Sequence, residues 1–183
     1  IGRYQFSKPG LLHADLSKEL VVQDGYDEDA DPIPRLVDGF LQSEDLQRRL
    51  DGPFQQELHN FIWSWSAELR TLNEERHLVH CDFGNRNLLV DCINGRWVVV
   101  AVLDWEFAVS GSPLVDVGHF LRYETHEANL REPFFSQAYV EFGGILPDDW
   151  RRISHVLDLT GLVHCLTHPQ LPDEVTREIL QLI

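Results

Sequence analysis

Apolar residues recur at helical spacing in a stretch that begins just after Pro53. Proline is tolerated in the first turn of a helix, where its missing N–H has no intrahelical partner to lose. The positions that fall on one face of such a helix are Phe54, Leu58, Phe61, Ile62, Trp65 and Leu69. The pattern therefore predicts an amphipathic helix whose apolar face is buried.

Two short β-prone runs, at residues 88–91 and 97–104, flank an Asn94-Gly95 pair. Asn-Gly is the strongest two-residue signal for a β-hairpin turn. With these residues at the turn, the numbers of cross-strand partners sum to 189, so that Asn87 faces Val102. Residues 98–103 are all apolar. Because such a strand is apolar on both faces, we expect other parts of the protein to cover the hairpin on each side.

A helical pattern continues from Pro113 to the end of the chain. Asp148 and Asp149 suit the start of one helix. A single face of that helix would hold Trp150, Ile153, Leu157, Gly161 and His164. Residues 172–182 predict a further helix. Several helices around one small hairpin make an α+β body that is mostly α-helical.

Composition limits the class of protein to a folded domain without disulfides. The chain has 183 residues, 43% of them hydrophobic, which suits one domain with one core. Its three cysteines, Cys81, Cys92 and Cys165, show no CxxC spacing, so neither a disulfide scaffold nor a zinc ribbon is predicted. No apolar run approaches the roughly 20 residues of a membrane helix. We expect a soluble protein of the reducing cytoplasm.

The charge balance narrows the choice of partners. Thirty acidic residues face fifteen basic ones, which gives a formal net charge of -15. The resulting field repels phosphate backbones and anionic lipid headgroups, so we expect neither a nucleic acid nor a membrane as partner. The same field attracts a cationic small molecule.

The residues that carry chemistry form the motif HxDxxxxN, with His80, Asp82 and Asn87, followed after the hairpin by Asp104. The predicted strand pairing brings Asn87 and Asp104 to the open end of the hairpin, within about 7 to 8 Å of each other. Asp82 precedes that end by five residues. The sequence therefore predicts two carboxylates and one carboxamide at a single site.

Such a trio provides what phosphoryl transfer requires. Asn87 and Asp104 would bind the Mg²⁺ ion that bridges the phosphates of a nucleotide. Asp82 would orient and deprotonate the acceptor alcohol. His80 would pack beneath the loop and fix its backbone.

At these residues the sequence resembles a known family. The segments LVHCDFGNRNLLV (78–90) and VVAVLDWEFAVSGSPLVDVGHFLRYE (99–124) are similar to those of the aminoglycoside phosphotransferase and choline kinase-like group. The resemblance implies the C-terminal lobe of a protein-kinase-like fold, with ATP or GTP as phosphate donor. It also implies that Asp82 is the catalytic base, that Asn87 and Asp104 are metal ligands, and that Asp116 braces the catalytic loop.

The sequence departs from the family pattern at two places. Glycine usually stands where Cys81 is found, so we expect an ordinary negative φ there and a buried, inert thiol. Kinases also need a glycine-rich loop and a strand lysine. The chain has no such loop, and neither Lys8 nor Lys18 lies in a matching strand. Because the chain also lacks an initiator methionine, we expect residues 1–183 to be the C-terminal lobe alone, without the nucleotide-covering N-terminal lobe.

Further residues are candidates for supporting roles. Arg86 could steady the charge of the transferring phosphate. A hydroxyl-bearing, cationic acceptor such as an aminoglycoside or an amino alcohol could meet Trp105, Glu106, Glu124 and Glu127. Two other functions stay open: a hydrolase with Asp82 and Asp104 as acid and base, and a non-catalytic pseudokinase or binding module.

Overall fold

The computed structural model describes residues 2–12, 20–23, 31–124 and 131–183. The strands in these ranges are β1 (Gly10–Leu11), β2 (His77–Val79), β3 (Leu88–Ile93), β4 (Arg96–Val102) and β5 (Val109–Gly111). The helices are α1 (Pro32–Leu41), α2 (Glu44–Arg49), α3 (Gly52–Ser64), α4 (Ser66–Arg70), α5 (Leu114–Leu121), α6 (Phe134–Glu141), α7 (Trp150–Cys165) and α8 (Asp173–Leu182). A single 3₁₀ turn at Asn85–Asn87 precedes β3. The predicted α+β, mostly helical class is confirmed.

The strands form two small antiparallel sheets. One has the order β1-β5-β2, and the other is the β3–β4 hairpin. In the first sheet, Val79 of β2 pairs with Val109 of β5. The loop that carries Asp82 leaves directly from the end of β2, and α5 follows β5. This sheet therefore links the candidate site to the helical core.

The hairpin turn is the predicted one. Asn94 and Gly95 have φ angles of 53° and 75°, and two positive φ angles in a row are the mark of the turn type that Asn-Gly favours. From the turn down to the pair of Val90 and Val99, the strands follow the predicted register. Local turn chemistry was thus enough to fix this half of the hairpin.

The predicted register is wrong by one residue at the open end of the hairpin. A β-bulge at Val100 adds a residue to β4, so Leu88 and not Asn87 pairs with Val102. Asn87 instead accepts a hydrogen bond of 2.8 Å from the backbone N–H of Leu103. The bulge therefore moves the segment after β4 one step closer to Asn87.

The described residues leave both faces of the hairpin exposed, so its expected cover stays a prediction. Seven large apolar side chains of the hairpin are between 38% and 75% exposed, namely Leu89, Val90, Ile93, Trp97, Val98, Val99 and Val100. Only its base, near Leu88 and Val102, is partly buried. The described helices pack on one another instead, so the hairpin projects from the body as an apolar surface.

The hydrophobic core lies among the helices, with α7 at its centre. The most deeply buried large side chains are Leu46, Ile62, Leu121, Leu157 and Leu166.

The helix predicted after Pro53 begins at Gly52, and the carboxylate of its N-cap, Asp51, accepts from the Phe54 N–H at 2.9 Å. Phe61, expected in its buried face, is 43% exposed at the edge of that face. No described helix is long and apolar enough to cross a membrane.

Close contact between α5 and α7 fixes the helix that supports the site. Gly118 of α5 is buried against the Ser154 backbone of α7. A Cβ atom at Gly118 would lie only 2.2 Å from the Ser154 carbonyl oxygen. Glycine is therefore required here because the two helix backbones meet directly.

We predict that Gly118→Ala lowers the free energy of unfolding by about 1 to 3 kcal/mol, because the added methyl group must push the helices apart. Gly39→Ala in α1 is the matched control, since its Cβ would meet no atom within 4 Å. That change should stabilise the protein by about 0.5 to 1 kcal/mol. Chemical denaturation of both variants tests the packing. Equal effects at the two glycines would contradict it.

Candidate active site

The carboxylate of Asp116 holds the start of the loop that follows β2. It accepts hydrogen bonds from the backbone N–H of His80, at 2.9 Å to Oδ2 and 3.1 Å to Oδ1, and from that of Cys81, at 2.9 Å. Burial raises the pKa of Asp116, while the two N–H groups act in the opposite direction. One side chain of α5 thus satisfies two consecutive backbone donors of the loop.

The backbone of Cys81 is left-handed, with a φ of 64°, so the expected negative φ is wrong. Its N–H and that of His80 point at the same carboxylate, and this shared partner imposes the turn. A side chain with a Cβ adopts this conformation at a cost of about 1 to 2 kcal/mol. The surrounding hydrogen bonds offset that cost.

The thiol of Cys81 is shielded from chemistry. Burial, reinforced by the charges of Asp116 and Asp82, raises the pKa of the Cys81 thiol to about 12. At neutral pH the sulfur is therefore a protonated, weakly reactive group.

His80 ties the loop to the end of the hairpin. Its side chain is fully buried. The Nε2–H donates to the Leu103 carbonyl oxygen at 2.7 Å, and Nδ1 accepts from the Asp82 N–H at 3.2 Å. The ring packs on Trp105, with 4.7 Å between ring centroids. His80 therefore fixes the backbone on both sides of the site.

Asp82 and Asn87 are joined directly. Asn87 Nδ2 donates to the Asp82 carbonyl oxygen at 2.8 Å and to Asp82 Oδ2 at 3.0 Å. Both amide hydrogens are thus used within the loop, and the amide oxygen Oδ1 is left to bind another group. The 3₁₀ turn Asn85–Asn87 provides the backbone geometry for this contact.

Asp104 is placed beside Asn87 through its neighbour Leu103. The Leu103 N–H donates to the Asn87 carbonyl, and the Leu103 carbonyl accepts from His80. Asp104 itself is exposed and has a φ of 64°. The structure thus brings Asp82 and Asn87 of the loop after β2 together with Asp104, which follows β4.

The donor set of this site suits Mg²⁺. The Asn87 amide oxygen and the Asp104 carboxylate are hard oxygen ligands, and Mg²⁺ characteristically combines one or two carboxylates with water and phosphate oxygens. Among the described residues, no group of three or more His, Cys, Asp or Glu side chains is arranged to hold a metal ion. The candidate metal ligands are therefore an open pair and not a closed cage.

The other candidates surround this centre less tightly. Arg86 is exposed on the 3₁₀ turn, and Glu106 is exposed two residues after Asp104. Trp105 is partly buried, and its Nε1–H donates to the Val102 carbonyl at 2.8 Å. Their proposed contacts with phosphate or acceptor stay predictions.

Glu124 takes part in a separate cluster of charges. It accepts from the backbone N–H of Glu132 at 3.1 Å and lies 3.5 Å from Arg151, which also pairs with the Glu132 carboxylate. Its carboxylate is thus already engaged by the protein. Glu127 lies outside the described residues.

A buried polar cluster between α5 and α7 was not predicted from the sequence. Asp158 accepts hydrogen bonds from Arg122, and its Oδ1 lies 3.3 Å from His119 Nε2. The three-residue spacing of His119 and Arg122 places them on one side of a helix. Nothing in the spacing indicates Asp158 as their partner.

Comparison with known proteins places this site in a family context. A family model described as "Phosphotransferase enzyme family" matches residues 23–155. Hygromycin-B 4-O-kinase from Escherichia coli is 36% identical over 73 residues, 39% of this chain and 20% of that protein. Acyl-CoA dehydrogenase family member 11 from Homo sapiens is 31% identical over 109 residues, 60% of this chain and 13% of that protein.

Solved structures share the fold. A thermostable mutant of aminoglycoside phosphotransferase APH(4)-Ia, in a ternary complex with AMP-PNP and hygromycin B, matches with a TM-score of 0.52 and 23% identity. The match covers 84% of this chain and 52% of that one, so the chain spans about half the length of this solved relative. The apo form matches with the same TM-score at 22% identity. The expected protein-kinase-like fold is confirmed.

The left-handed turn at Cys81 can be tested by comparing Cys81→Gly with Cys81→Ala. We predict that the glycine variant is the more stable by about 1 kcal/mol, because alanine keeps the Cβ that strains a positive φ. Chemical denaturation of both variants measures the difference. At an ordinary negative φ alanine would be the more stable residue, so that order would contradict the assigned backbone.

Proposed function

Since this chain belongs to the phosphotransferase enzyme family, we propose that it is the catalytic lobe of a small-molecule O-phosphotransferase, which transfers the terminal phosphate of ATP or GTP to an acceptor hydroxyl. The observation that carries the proposal is the meeting of Asp82, Asn87 and Asp104 at one site. Phosphoryl transfer depends mainly on positioning and on charge stabilisation, and these three side chains provide both.

The hydrogen bonds divide the work among the three residues. Asn87 holds Oδ2 of Asp82, which leaves Oδ1 as the oxygen that accepts the proton of the attacking hydroxyl. The amide oxygen of Asn87 and the carboxylate of Asp104 would hold Mg²⁺. When bound, the ion would neutralise charge on the phosphate oxygens.

The proposed acceptor is a hydroxyl-bearing cation, such as an aminoglycoside-like molecule or an amino alcohol. The formal net charge of -15 would draw such a molecule toward the protein. One relative is named for its action on hygromycin B, which supports this class of acceptor.

All three cysteines are free thiols, and we propose a cytoplasmic location on that basis.

The two other functions fit the geometry less well. A hydrolase with Asp82 and Asp104 as acid and base would give Asn87 no chemical role, although Asn87 makes two bonds to Asp82. A pseudokinase is disfavoured because the base and both candidate metal ligands are present together.

We further propose that a nucleotide-covering N-terminal lobe packs over the β3–β4 hairpin in the whole protein. Soluble proteins rarely expose so many neighbouring apolar side chains as the seven on this hairpin, unless another part of the protein or a partner covers them. Trp97 is 75% exposed and Val99 55% exposed on the hairpin. This chain spans 52% of its solved relative, a proportion that leaves room for another lobe.

Because Asp82 and Asp104 have separate proposed roles, their variants should show different defects in the protein with both lobes. Asp82→Ala should lower turnover by roughly 10² to 10⁴ while nucleotide affinity stays near that of the wild type, because only proton transfer is lost. Asp104→Asn should weaken Mg²⁺-nucleotide binding itself. Steady-state phosphotransfer and magnesium-dependent nucleotide titration measure the two effects. Wild-type turnover in the first variant, or unaltered titration in the second, would contradict the assignments.

The two-lobe proposal predicts a change at Trp97. In a longer form of the protein that includes the preceding segment, its fluorescence should shift to the blue relative to this chain, because the indole leaves water. The difference between each wild-type form and its Trp97→Phe variant isolates the emission of this one residue. The same exposed emission in both forms would overturn the proposal.

This chain alone should show little or no phosphotransfer.

A further inference from the structure

A buried network of charged side chains connects α5 to α7. The Asp158 side chain is 6% exposed, and the Arg122 guanidinium binds both of its oxygens at 2.6 to 3.1 Å. His119 is also buried, with 8% of its side chain exposed. Its Nε2 lies 3.3 Å from Asp158 Oδ1. Burying charged groups costs free energy unless they are paired, and here the Asp158 carboxylate is paired with the Arg122 guanidinium.

The position of the His119 ring is fixed by close packing. A Cβ atom at Gly161 of α7 would lie 2.8 Å from His119 Nε2 and 3.4 Å from Arg122 Nη2. The ring therefore occupies the space that a larger residue at this position would fill. Together with the 3.3 Å contact between Nε2 and Asp158 Oδ1, this packing restricts the orientation of the imidazole.

The other ring nitrogen of His119 has no partner. Because a carboxylate only accepts hydrogen bonds, Nε2 carries the hydrogen of the neutral ring and Nδ1 is a bare acceptor. Nδ1 is buried and contacts no donor among the described residues. Burial lowers the pKa of His119, which favours this neutral form. A buried acceptor without a donor costs about 1 to 3 kcal/mol, a cost that a hydrogen bond to Nδ1 would remove.

His119 lies on the helix that binds the loop carrying the candidate base. On the same helix, Asp116 binds the loop backbone and the ring of Phe120 lies 5.7 Å from that of Phe83, the residue after Asp82. The charges of Asp82 and His80 both act on the pKa of His119, in opposite directions. Among the described residues, no acceptor contacts the backbone N–H groups of Phe83 and Gly84. The helix that binds the loop through Asp116 thus also carries an unused acceptor, and the loop has unused donors.

We propose that His119 is a positioning residue for Asp82: with Nε2–H held by Asp158, it presents Nδ1 as a hydrogen-bond acceptor to the backbone at 83–84 when the substrates are bound. The inference rests on the proposed phosphotransferase function and adds a residue outside the motif. Asp158 and Arg122 keep the ring oriented. Protonation of the ring would turn Nδ1 into a donor and remove the acceptor.

Two polar substitutions separate this role from a purely structural one. Asparagine places a polar atom where Nδ1 lies but cannot reach Asp158. Glutamine reaches the position of Nε2 and can donate to Asp158, but it leaves no acceptor at Nδ1. In the protein with both lobes, we expect His119→Gln to unfold near the wild-type temperature yet to lose about tenfold in kcat, the effect of one hydrogen bond. KM for the nucleotide should stay unchanged.

His119→Asn should unfold at a lower temperature and keep the higher kcat of the two variants. The reverse order, with wild-type kcat in His119→Gln and the lower kcat in His119→Asn, would show a brace between helices only and overturn the proposal.

The pH profile gives an independent readout. Burial places the pKa of His119 below its ordinary value of 6.5, so kcat should fall as the pH decreases through that lower value. The fall should be absent in His119→Asn, which cannot be protonated, while any fall caused by Asp82 stays in both proteins. Identical acid limbs in the wild type and His119→Asn would contradict the role of Nδ1. A general failure of the proposed function would instead show as no phosphotransfer in the wild type.

Discussion

The three backbone hydrogen bonds that end on the Asp116 carboxylate are the constraint on which the site depends. Between β2 and the 3₁₀ turn the loop has no regular secondary structure to satisfy its own N–H groups. One carboxylate on α5 meets that need for His80 and Cys81 together. Because Gly118 sets α5 directly against α7, the rigidity of the helical core is passed to the loop that carries Asp82.

A second connection brings in the hairpin. Leu103 donates to Asn87 and accepts from His80, so the residue just before Asp104 is bound on both sides. The His80 imidazole between them is fully buried and has a hydrogen-bond partner for each ring nitrogen. Buried polar groups that are fully satisfied specify one geometry. The result is an oxygen-rich site whose members come from separate parts of the chain.

Local sequence patterns predicted the individual helices and turns better than they predicted how these elements pair and pack. The Asn-Gly turn, the helix after Pro53 and the gathering of Asp82 with Asn87 all followed from spacing. The bulge at Val100 did not, since it depends on which backbone groups pair at the far end of the strands. The positive φ at Cys81 is imposed by a carboxylate on a distant helix. The exposure of the hairpin depends on what packs over it, which the apolar pattern of a strand does not specify.

We propose that folding assembles a divalent cation site for a nucleotide next to a carboxylate base. The decisive measurement is a crystal structure of a longer form that includes the proposed N-terminal lobe, grown with Mn²⁺ and a non-hydrolysable nucleotide, in which the anomalous signal locates the metal. We expect Mn²⁺ to be bound by the Asn87 amide oxygen and the Asp104 carboxylate at about 2 to 2.2 Å, with Asp82 free of metal and facing the terminal phosphate. Metal and nucleotide bound elsewhere, with Asn87 and Asp104 unliganded, would contradict it.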